Sequence, residues 1–156
     1  DAIGNAMQGM FSMEILFSPD GGVNPFSSME SGGLGYEMTS DNKLAFYYRA
    51  NNKWVLPNNN FQIPIQVGQN AYYHAVVTYN KTTFRMYLNG NKVKEMKVSG
   101  SFNFPQKNQA PDYLMGIGGD YRDVVIPSIQ NSFIGKIVYA RLYKGVLSES
   151  DVKKMN

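Results

Sequence analysis

Polar and apolar residues alternate with a period of two along several stretches of the chain, a pattern typical of half-buried β-strands. Residues 82–98, TTFRMYLNGNKVKEMKV, show it most clearly. Asn89 and Gly90 supply the two positive-φ positions of a type I′ turn, so this stretch predicts a β-hairpin. The apolar positions of the returning strand change phase, which predicts a β-bulge near Lys94 and Glu95.

The same period predicts about ten short strands in the whole chain. Asp41 and Asn42 tolerate a left-handed turn and indicate a second hairpin. Pro57 and Pro64 restrict their segment to edge strands or loops. The clearest strand-like segments are FSMEILFS (11–18), GYEMTSDNKLAFYYR (35–49), AYYHAVVTYN (71–80), YLMGIGG (113–119) and FIGKIVYARLY (133–143).

Three segments depart from simple alternation. Residues 19–33, PDGGVNPFSSMESGG, are rich in turn formers, and we expect them to leave the sheet at one end. In residues 133–143, apolar side chains occupy both odd and even positions. This pattern fits either a strand covered on both faces or a strand with a bulge. Ser148 followed by Asp151 resembles a capping pair that begins a short helix.

This order of elements predicts an all-β fold, a two-layer antiparallel β-sandwich or jelly roll with a short C-terminal helix. A chain of 156 residues is long enough for one such core, and we expect residues 1–156 to form a single domain. The chain begins with Asp1, and we expect it to be excised from a longer exported protein.

Composition excludes several classes of protein. The absence of cysteine removes disulfide scaffolds, thiolate metal sites and cysteine nucleophiles. No apolar run approaches the roughly 20 residues that a transmembrane helix needs, and no segment has the layout of a signal peptide. We therefore expect no transmembrane segment.

Charge is unevenly distributed along the chain. Residues 1–80 hold three basic and six acidic groups, whereas residues 81–156 hold twelve and six. The basic groups of the hairpin 81–98 either protect a solvated strand edge from pairing or bind an acidic polymer. They are Lys81, Arg85, Lys92, Lys94 and Lys97, against Glu95 alone.

Five short motifs follow one another along residues 11–155. They are FSME, GGLGYEM, an aromatic-His strand that ends in VTY and continues to YLNG, then IGG, and finally F-x-G-x-I with ARLY and LS. In this order they resemble the laminin-G-like, concanavalin A-like lectin/glucanase superfamily, in its bacterial, Bacteroidetes-like branch. Tyr72 stands where that family usually has Trp, and Asn80 where it usually has Asp. Members also carry a further strand before FSME, which leaves open whether the native domain begins before Asp1.

The superfamily includes glycosidases, and glycoside hydrolysis requires paired carboxylates. Glu14 lies in a strand but lacks acidic partners at alternate positions, and we expect the acidic side chains to lie at the surface. His74 is the only histidine and lies inside the best strand, where a structural hydrogen bond explains it without catalysis. The sequence therefore predicts a segment that is not an enzyme.

The resemblance implies a calcium site at one rim of the sandwich, because many relatives bind Ca²⁺ there. Calcium takes oxygen ligands from carboxylates, amides and carbonyls. Asp120 and Asp123, with Asp20 or Asn24, could supply some of them. No cofactor is established by the sequence, and Ca²⁺ is the one candidate.

Sugar binding requires an aromatic ring beside amides or charged groups. If the apolar residues of 44–48 face the core, Tyr47 and Arg49 face outward, toward the loop that follows them. Trp54 belongs either to the core or to this site. The first candidate site comprises Tyr47, Arg49, Asn51, Asn52 and Trp54. The second comprises Tyr113, Tyr121 and Arg122 around the turn at 116–119.

Three hypotheses for function remain open. The first is a non-catalytic carbohydrate-binding or adhesion module of an exported multidomain protein, located outside the cell, at its surface or in the periplasm. The second is an accessory structural domain that packs on a phosphoesterase or glycosidase and binds no sugar. The third is binding of an acidic polysaccharide by the hairpin 81–98. The expected partners are a glycan or neighbouring domains of the polypeptide, and not nucleic acid.

Overall fold

A computed structural model of the chain describes residues 9–28, 33–50, 53–55, 61–98, 115–121 and 129–156. Its strands are β1 (Phe11–Gly22), β2 (Phe26–Ser28), β3 (Leu34–Met38), β4 (Lys43–Ala50), β5 (Lys53–Val55), β6 (Gln62–Pro64), β7 (Tyr73–Tyr79), β8 (Thr83–Leu88), β9 (Asn91–Lys97), β10 (Gly116–Ile117), β11 (Asp120–Tyr121), β12 (Ile129–Gln130) and β13 (Phe133–Lys144). Its helix is α1 (Glu149–Lys154).

Two antiparallel sheets make up the fold, which confirms the predicted sandwich with a short C-terminal helix. The five-stranded sheet has the order β13-β1-β7-β8-β9. The six-stranded sheet has the order β10-β2-β3-β4-β5, with β6 also paired to β4. A separate pair, β11 and β12, adjoins the edge of the second sheet through contacts of β11 with β2 and β10.

The core lies between the inner faces of the two sheets, because every second residue of each strand points inward. Phe84 on the five-stranded sheet contacts the rings of Phe46 and Tyr48 on the six-stranded sheet, with centroid distances of 5.6 and 4.6 Å. The buried hydroxyl of Tyr36 donates across the core to the carbonyl of Met13 at 2.8 Å. This bond satisfies a polar group that would otherwise be costly to bury.

Both predicted hairpins are present. Asn89 and Gly90 have φ values of 49° and 75°, as a type I′ turn requires, and Asn42 has a φ of 57° in the turn between β3 and β4. The β9 bulge falls at Val93, just before the predicted position, since Lys94 pairs with Met86 and Lys92 pairs with Tyr87.

The prediction that residues 19–33 leave the sheet is wrong for residues 19–22 and 26–28. Residues 19–22 continue β1, and Phe26–Ser28 forms β2. β1 can extend this far because β13 is equally long and two register shifts absorb the irregular residues. One register shift leaves Val138 of β13 unpaired. This bulge explains why apolar residues occupy both odd and even positions of β13.

Helix α1 begins with the predicted capping pair. The Ser148 side-chain oxygen accepts from the Asp151 amide at 3.1 Å, and the Ser148 amide donates to the Asp151 carboxylate at 3.0 Å. Val152 is fully buried against Val76 and Tyr87. The helix therefore covers part of the outer face of the five-stranded sheet.

Candidate functional site

The outer face of the six-stranded sheet carries two of the predicted sugar-binding residues. Leu44, Phe46 and Tyr48 of β4 are buried in the core, so Tyr47 and Arg49 lie on the opposite side of the strand. Both side chains are half-buried. This arrangement agrees with the orientation that alternation predicts.

One row of register-paired residues crosses this outer face. Gly116 of β10 pairs with Ser27, Ser27 with Gly35, and Gly35 with Tyr47. Adjacent strands lie about 4.8 Å apart, so the row from β10 to β4 spans about 14 Å. Tyr121, the described member of the second candidate group, lies on β11, which pairs with β12 and contacts β10 and β2 at one edge of this sheet.

The middle of this row is built from small residues. A Cβ atom at Gly35 would lie 2.5 Å from the Cβ atom of Ser27, so only glycine fits beside Ser27. The Ser27 hydroxyl donates to the carboxylate of Asp120 at 3.2 Å, and Asp120 is 1% exposed. The carboxylate of Asp120 therefore lies beside β2. We call this side of the sheet the β2–β4 face. Of its described residues, Glu37, Tyr47 and Arg49 are half-exposed, whereas Ser27, Gly35 and Asp120 are buried.

Glu37 is a member of this face that sequence reasoning missed. It lies two residues from Gly35 on β3 and is half-buried. Burial raises the pKa of the Glu37 carboxyl, and a hydrogen bond from the Tyr47 hydroxyl partly offsets the rise. The sequence could have identified Glu37. The alternation of β3 and the turn at Asp41 and Asn42 set the register of the hairpin, and that register brings Glu37 near Tyr47.

Several predicted sugar-binding residues lie outside the described part of the chain. The backbone of Trp54 in β5 pairs with Arg49, but its side chain is not among those described, and neither are Asn51 and Asn52. Tyr121 of β11 pairs with Ile129 through its backbone, whereas Tyr113 and Arg122 are outside the described ranges. The roles of these residues stay predictions.

The predicted calcium ligands are only partly placed. Asn24 is 1% exposed, and its Oδ1 atom has no hydrogen-bond partner. The neighbouring Pro25 carbonyl accepts from the Gly118 amide, which brings the Asn24 segment beside the turn that leads to Asp120. Asp20 is exposed on β1, and Asp123 lies outside the described residues. Among the residues described, no three His, Cys, Asp or Glu side chains form a metal-binding group.

Glu14 and Asp120 correct the expectation that the acidic side chains lie at the surface. Glu14 is 0% exposed on the outer face of the five-stranded sheet. His74 Nε2 donates to Glu14 Oε1 at 2.8 Å, so the expected structural hydrogen bond of His74 is present. The two side chains come from neighbouring strands, β1 and β7.

Three side chains of β13 complete the surroundings of the Glu14 carboxylate. Tyr139 donates to Oε1 at 3.2 Å, Tyr143 donates to Oε2, and Arg141 approaches Oε2 at 3.5 Å. Burial alone would raise the pKa of Glu14, but hydrogen bonds from Tyr143, His74 and Tyr139 outweigh it and lower the pKa. The carboxylate therefore joins three strands through four donors.

The basic hairpin carries less free charge than its sequence suggests. Glu95 accepts from Arg85 at 2.8 Å and from Lys92 at 3.4 Å on the outer face of β8 and β9. Lys94 and Lys97 lie on the edge strand β9, where lysine side chains discourage pairing with another chain.

Solved structures with similar folds include several carbohydrate-related proteins. A Bacteroides ovatus protein, provisionally described as carbohydrate binding, has a TM-score of 0.68 and 18% identity over 94% of this chain and 40% of that chain. The binding domain of Botulinum neurotoxin DC in complex with SialylT has a TM-score of 0.67 and 16% identity over 99% of this chain and 37% of that one. Domain 4 of AbnA, a GH43 extracellular arabinanase of Geobacillus stearothermophilus, in complex with arabinotriose, has a TM-score of 0.65 and 15% identity over 96% and 68%.

These identities establish the shared fold, and the chain spans about two-fifths of the first two of these structures. No curated protein matches the sequence significantly. The laminin G-type family model described as the concanavalin A-like lectin/glucanases superfamily matches residues 11–153, nearly the whole chain. With this match and the two-sheet fold, the chain belongs to the concanavalin A-like lectin/glucanases superfamily.

Proposed function

We propose that the chain is a non-catalytic carbohydrate-binding or adhesion module and that the β2–β4 face holds the glycan. The observation that carries this proposal is the placement of Tyr47 and Arg49, side by side and half-exposed, on the outer face of β4. An aromatic ring packs on the C–H face of a sugar, and polar groups beside it bind the hydroxyls.

The module acts by tethering. A weak glycan site on one domain raises the local concentration of substrate for any domain on the same polypeptide. Two of the similar structures are consistent with such a role, since one is a domain of an arabinanase in complex with arabinotriose and the other a toxin binding domain in complex with SialylT.

The absence of catalysis is supported by the state of Glu14 and His74. The Glu14 carboxylate is fully buried and accepts from four donors, so it cannot reach a glycosidic bond. His74 Nε2 is committed to the same carboxylate. Neither group is therefore available as a general acid or base.

The test is glycan binding by the 156-residue chain, with arabinotriose as the first probe and a glycan array as the second. Tyr47→Ala and Arg49→Ala should each weaken binding about tenfold or more, because each removes a direct sugar contact. Arg85→Ala, a half-buried arginine on the outer face of the other sheet, is the matched control and should bind normally. If Tyr47→Ala and Arg49→Ala bind as tightly as the parent chain, the proposed site is wrong.

A second candidate function is an accessory domain that packs against a neighbour. Four aliphatic side chains of β10, β12 and β13 are 57–61% exposed, and an interface with a neighbouring domain would remove their apolar surface from water. They are Ile117, Ile129, Ile134 and Val138. Polar substitution of Ile134 and Val138 should leave glycan binding intact and weaken attachment to a flanking domain in the longer polypeptide.

We also propose a Ca²⁺ ion at the rim near Asn24. The buried, unpartnered Oδ1 of Asn24 and the carboxylate of Asp120 are oxygen donors of the type that calcium takes, in neighbouring segments. Asp20 and Asp123 are the remaining predicted ligands. The ion would fix the turn that precedes the edge of the β2–β4 face.

An exported location is part of the proposal. The helix described in the structure is short, and the described residues include no helix that could cross a bilayer. One of the similar structures belongs to an extracellular arabinanase. A role outside the cell would place the module where polymeric glycans are found.

A further inference from the structure

The loop between β6 and β7 carries exposed amide side chains and an exposed tyrosine. Gln66, Gln69 and Asn70 are exposed, and Tyr72 is 48% exposed. An amide side chain has both donors and an acceptor, so it can bond neighbouring hydroxyls of a sugar. A tyrosine ring can pack on the C–H face of the same sugar. We call residues 65–72 the amide loop.

The amide loop lies in a part of the chain that has no acidic residue, lysine or arginine. Such residues are absent from 54–80, although they make up 17% of the whole chain. The exposed charged residues Asp20 and Lys136 are on the neighbouring strands β1 and β13, and Asp41 and Lys43 of the adjoining turn pair with each other at 2.5 Å. The loop itself therefore offers hydrogen bonds without ion pairs, which suits the hydroxyls of a neutral saccharide.

Backbone hydrogen bonds hold the amide loop in place. The Ile65 amide donates to the Asn42 carbonyl at 3.0 Å, and the Gly68 amide donates to the Pro19 carbonyl at 2.8 Å. The side chains of Ile65 and Val67 pack against the core. These contacts tie the loop to the β3–β4 turn and to β1. A loop that is fixed in this way loses less conformational entropy when a ligand binds.

Tyr72 lies directly before β7, and the alternation of that strand sets the direction of its side chain. Tyr73 packs against the core, and its hydroxyl accepts from the Gln66 amide at 2.7 Å. His74 is on the outer face of the five-stranded sheet, where it bonds Glu14. Tyr72 has the same parity as His74, so it lies on the same outer side. The exposed rings of Tyr72 and Tyr47 are therefore on opposite sides of the sandwich, with the core between them.

We propose that the amide loop is a second saccharide-binding site, in which Tyr72 packs on a neutral sugar and the three amide side chains bind its hydroxyls. The amide side chains are those of Gln66, Gln69 and Asn70. This site is separate from the β2–β4 face and does not depend on it. Because the two sites face opposite sides, one chain holds two glycan chains at once, and two weak sites together bind a polysaccharide matrix more tightly than either alone.

The test is a titration of the 156-residue chain with arabinotriose, xylotriose, cellotriose and mannotriose, followed by backbone amide NMR. Resonances of residues 65–72 report on the amide loop, and those of Tyr47 and Arg49 report on the β2–β4 face. We expect at least one trisaccharide to shift the loop resonances. Tyr72→Ala should weaken that binding about tenfold or more and leave the response at Tyr47 unchanged. Tyr72→Phe keeps the ring and should bind within about threefold of the parent chain.

Asn70→Gly tests the contribution of an amide without disturbing the backbone. Asn70 has a φ of 51°, a left-handed conformation that glycine adopts freely. Loss of one amide should weaken binding at the loop about threefold or more. Asn131→Gly, at an exposed asparagine of the β12–β13 turn with the same φ of 51°, is the matched control and should bind normally.

The outcomes separate the amide loop from the β2–β4 face. Shifts at the loop that Tyr72→Ala removes and Tyr47→Ala leaves in place establish the second site. If the trisaccharides shift only the resonances around Tyr47, or if Tyr72→Ala and Asn70→Gly change nothing, the inference is overturned and the proposed function stands. If the loop alone responds, the inference stands and the β2–β4 face is not the glycan site. If neither set of resonances responds to any of the four trisaccharides, both proposals are wrong.

Discussion

His74 Nε2 donates to Glu14 Oε1 at 2.8 Å, between two side chains that are 3% and 0% exposed. The contact joins β7 to β1, and the same carboxylate also binds Tyr139 and Tyr143 of β13. A buried polar group stabilises a fold only when its partners are all present. The Glu14 carboxylate therefore links three strands of the five-stranded sheet.

Replacement of Glu14 should destabilise the fold strongly. Glu14→Ala leaves His74, Tyr139 and Tyr143 without their acceptor, and removal of one partner from a buried charged network typically costs about 3–5 kcal/mol. The measurement is the free energy of unfolding in urea. Glu95→Ala removes an exposed carboxylate that also binds two cations, and it should lower the free energy of unfolding far less, because exposed ion pairs contribute little to stability.

His74→Gln separates a structural role from a functional one. It should lower the free energy of unfolding, and the double variant with Glu14→Gln should show coupling of about 1 kcal/mol or more. The folded variant should still bind glycan at the β2–β4 face. Loss of binding or of any activity in a correctly folded His74→Gln protein would contradict the structural role.

The stability of the fold should also depend on pH through Glu14. Hydrogen bonds from Tyr143, His74 and Tyr139 lower the pKa of Glu14 in the folded state against the opposing effect of burial. The charged carboxylate therefore stabilises the fold above the pKa of the unfolded chain, about 4.3, and this contribution is lost as the pH falls through the lower folded value. Melting temperatures measured at a series of pH values from 7 to about 3 should decrease once the pH falls below about 4.3.

Glu14→Gln is the control for this pH dependence. A glutamine at this position does not titrate, so the variant should be less stable at pH 7 but should lose less stability on acidification than the parent chain. Equal acid sensitivity of the two proteins would show that other carboxyls cause the loss.

The hairpin of β3 and β4 shows how far local sequence predicts this structure. The turn at Asp41 and Asn42 sets the register, and alternation then places Tyr47 on the outer face. Glu37 was predictable by the same reasoning. Turn-forming residues, side-chain alternation and helix capping all act between residues that are close in sequence. This is why both hairpins and the helix cap were predicted correctly.

Contacts between distant segments were not predictable in this way. Ser27 and Asp120 are 93 residues apart, and Glu14 and His74 are 60 apart. Periodicity shows which side of a strand is buried but not which strands are neighbours. For the same reason, the burial of Glu14 could not be distinguished from the exposure that is usual for a glutamate.

The cap and packing of α1 give a prediction about the outer face of the five-stranded sheet. Val152→Ala should lower the free energy of unfolding by about 2 kcal/mol, because Val152 is fully buried against Val76 and Tyr87. Ser148→Ala should cost about 1 kcal/mol through loss of the capping box. Lys153→Ala, an exposed position on the same helix, should change stability by less than about 0.5 kcal/mol.

Calcium should raise the melting temperature if the proposed rim site exists. Addition of about 1 mM Ca²⁺ is sufficient for extracellular modules with weak sites. Asp120→Asn should abolish the shift, whereas Asp41→Asn, an exposed carboxylate on the β3–β4 turn, should keep it. A melting temperature that calcium leaves unchanged would reject the site.

Glu37→Gln should stabilise the fold at neutral pH although it alters the proposed binding site. Burial raises the pKa of Glu37, so the folded state disfavours the ionised form and loses stability as the pH rises from the unfolded pKa toward the folded one. Glutamine removes this cost, and the variant should melt at the same or a higher temperature at pH 7, with the difference vanishing near pH 3. Glu37 therefore lowers the stability of the fold and lies next to Tyr47. Residues that reduce stability are typical of binding sites, because they are retained for function. A lower melting temperature for Glu37→Gln at pH 7 would show instead that the charged carboxylate stabilises the sheet.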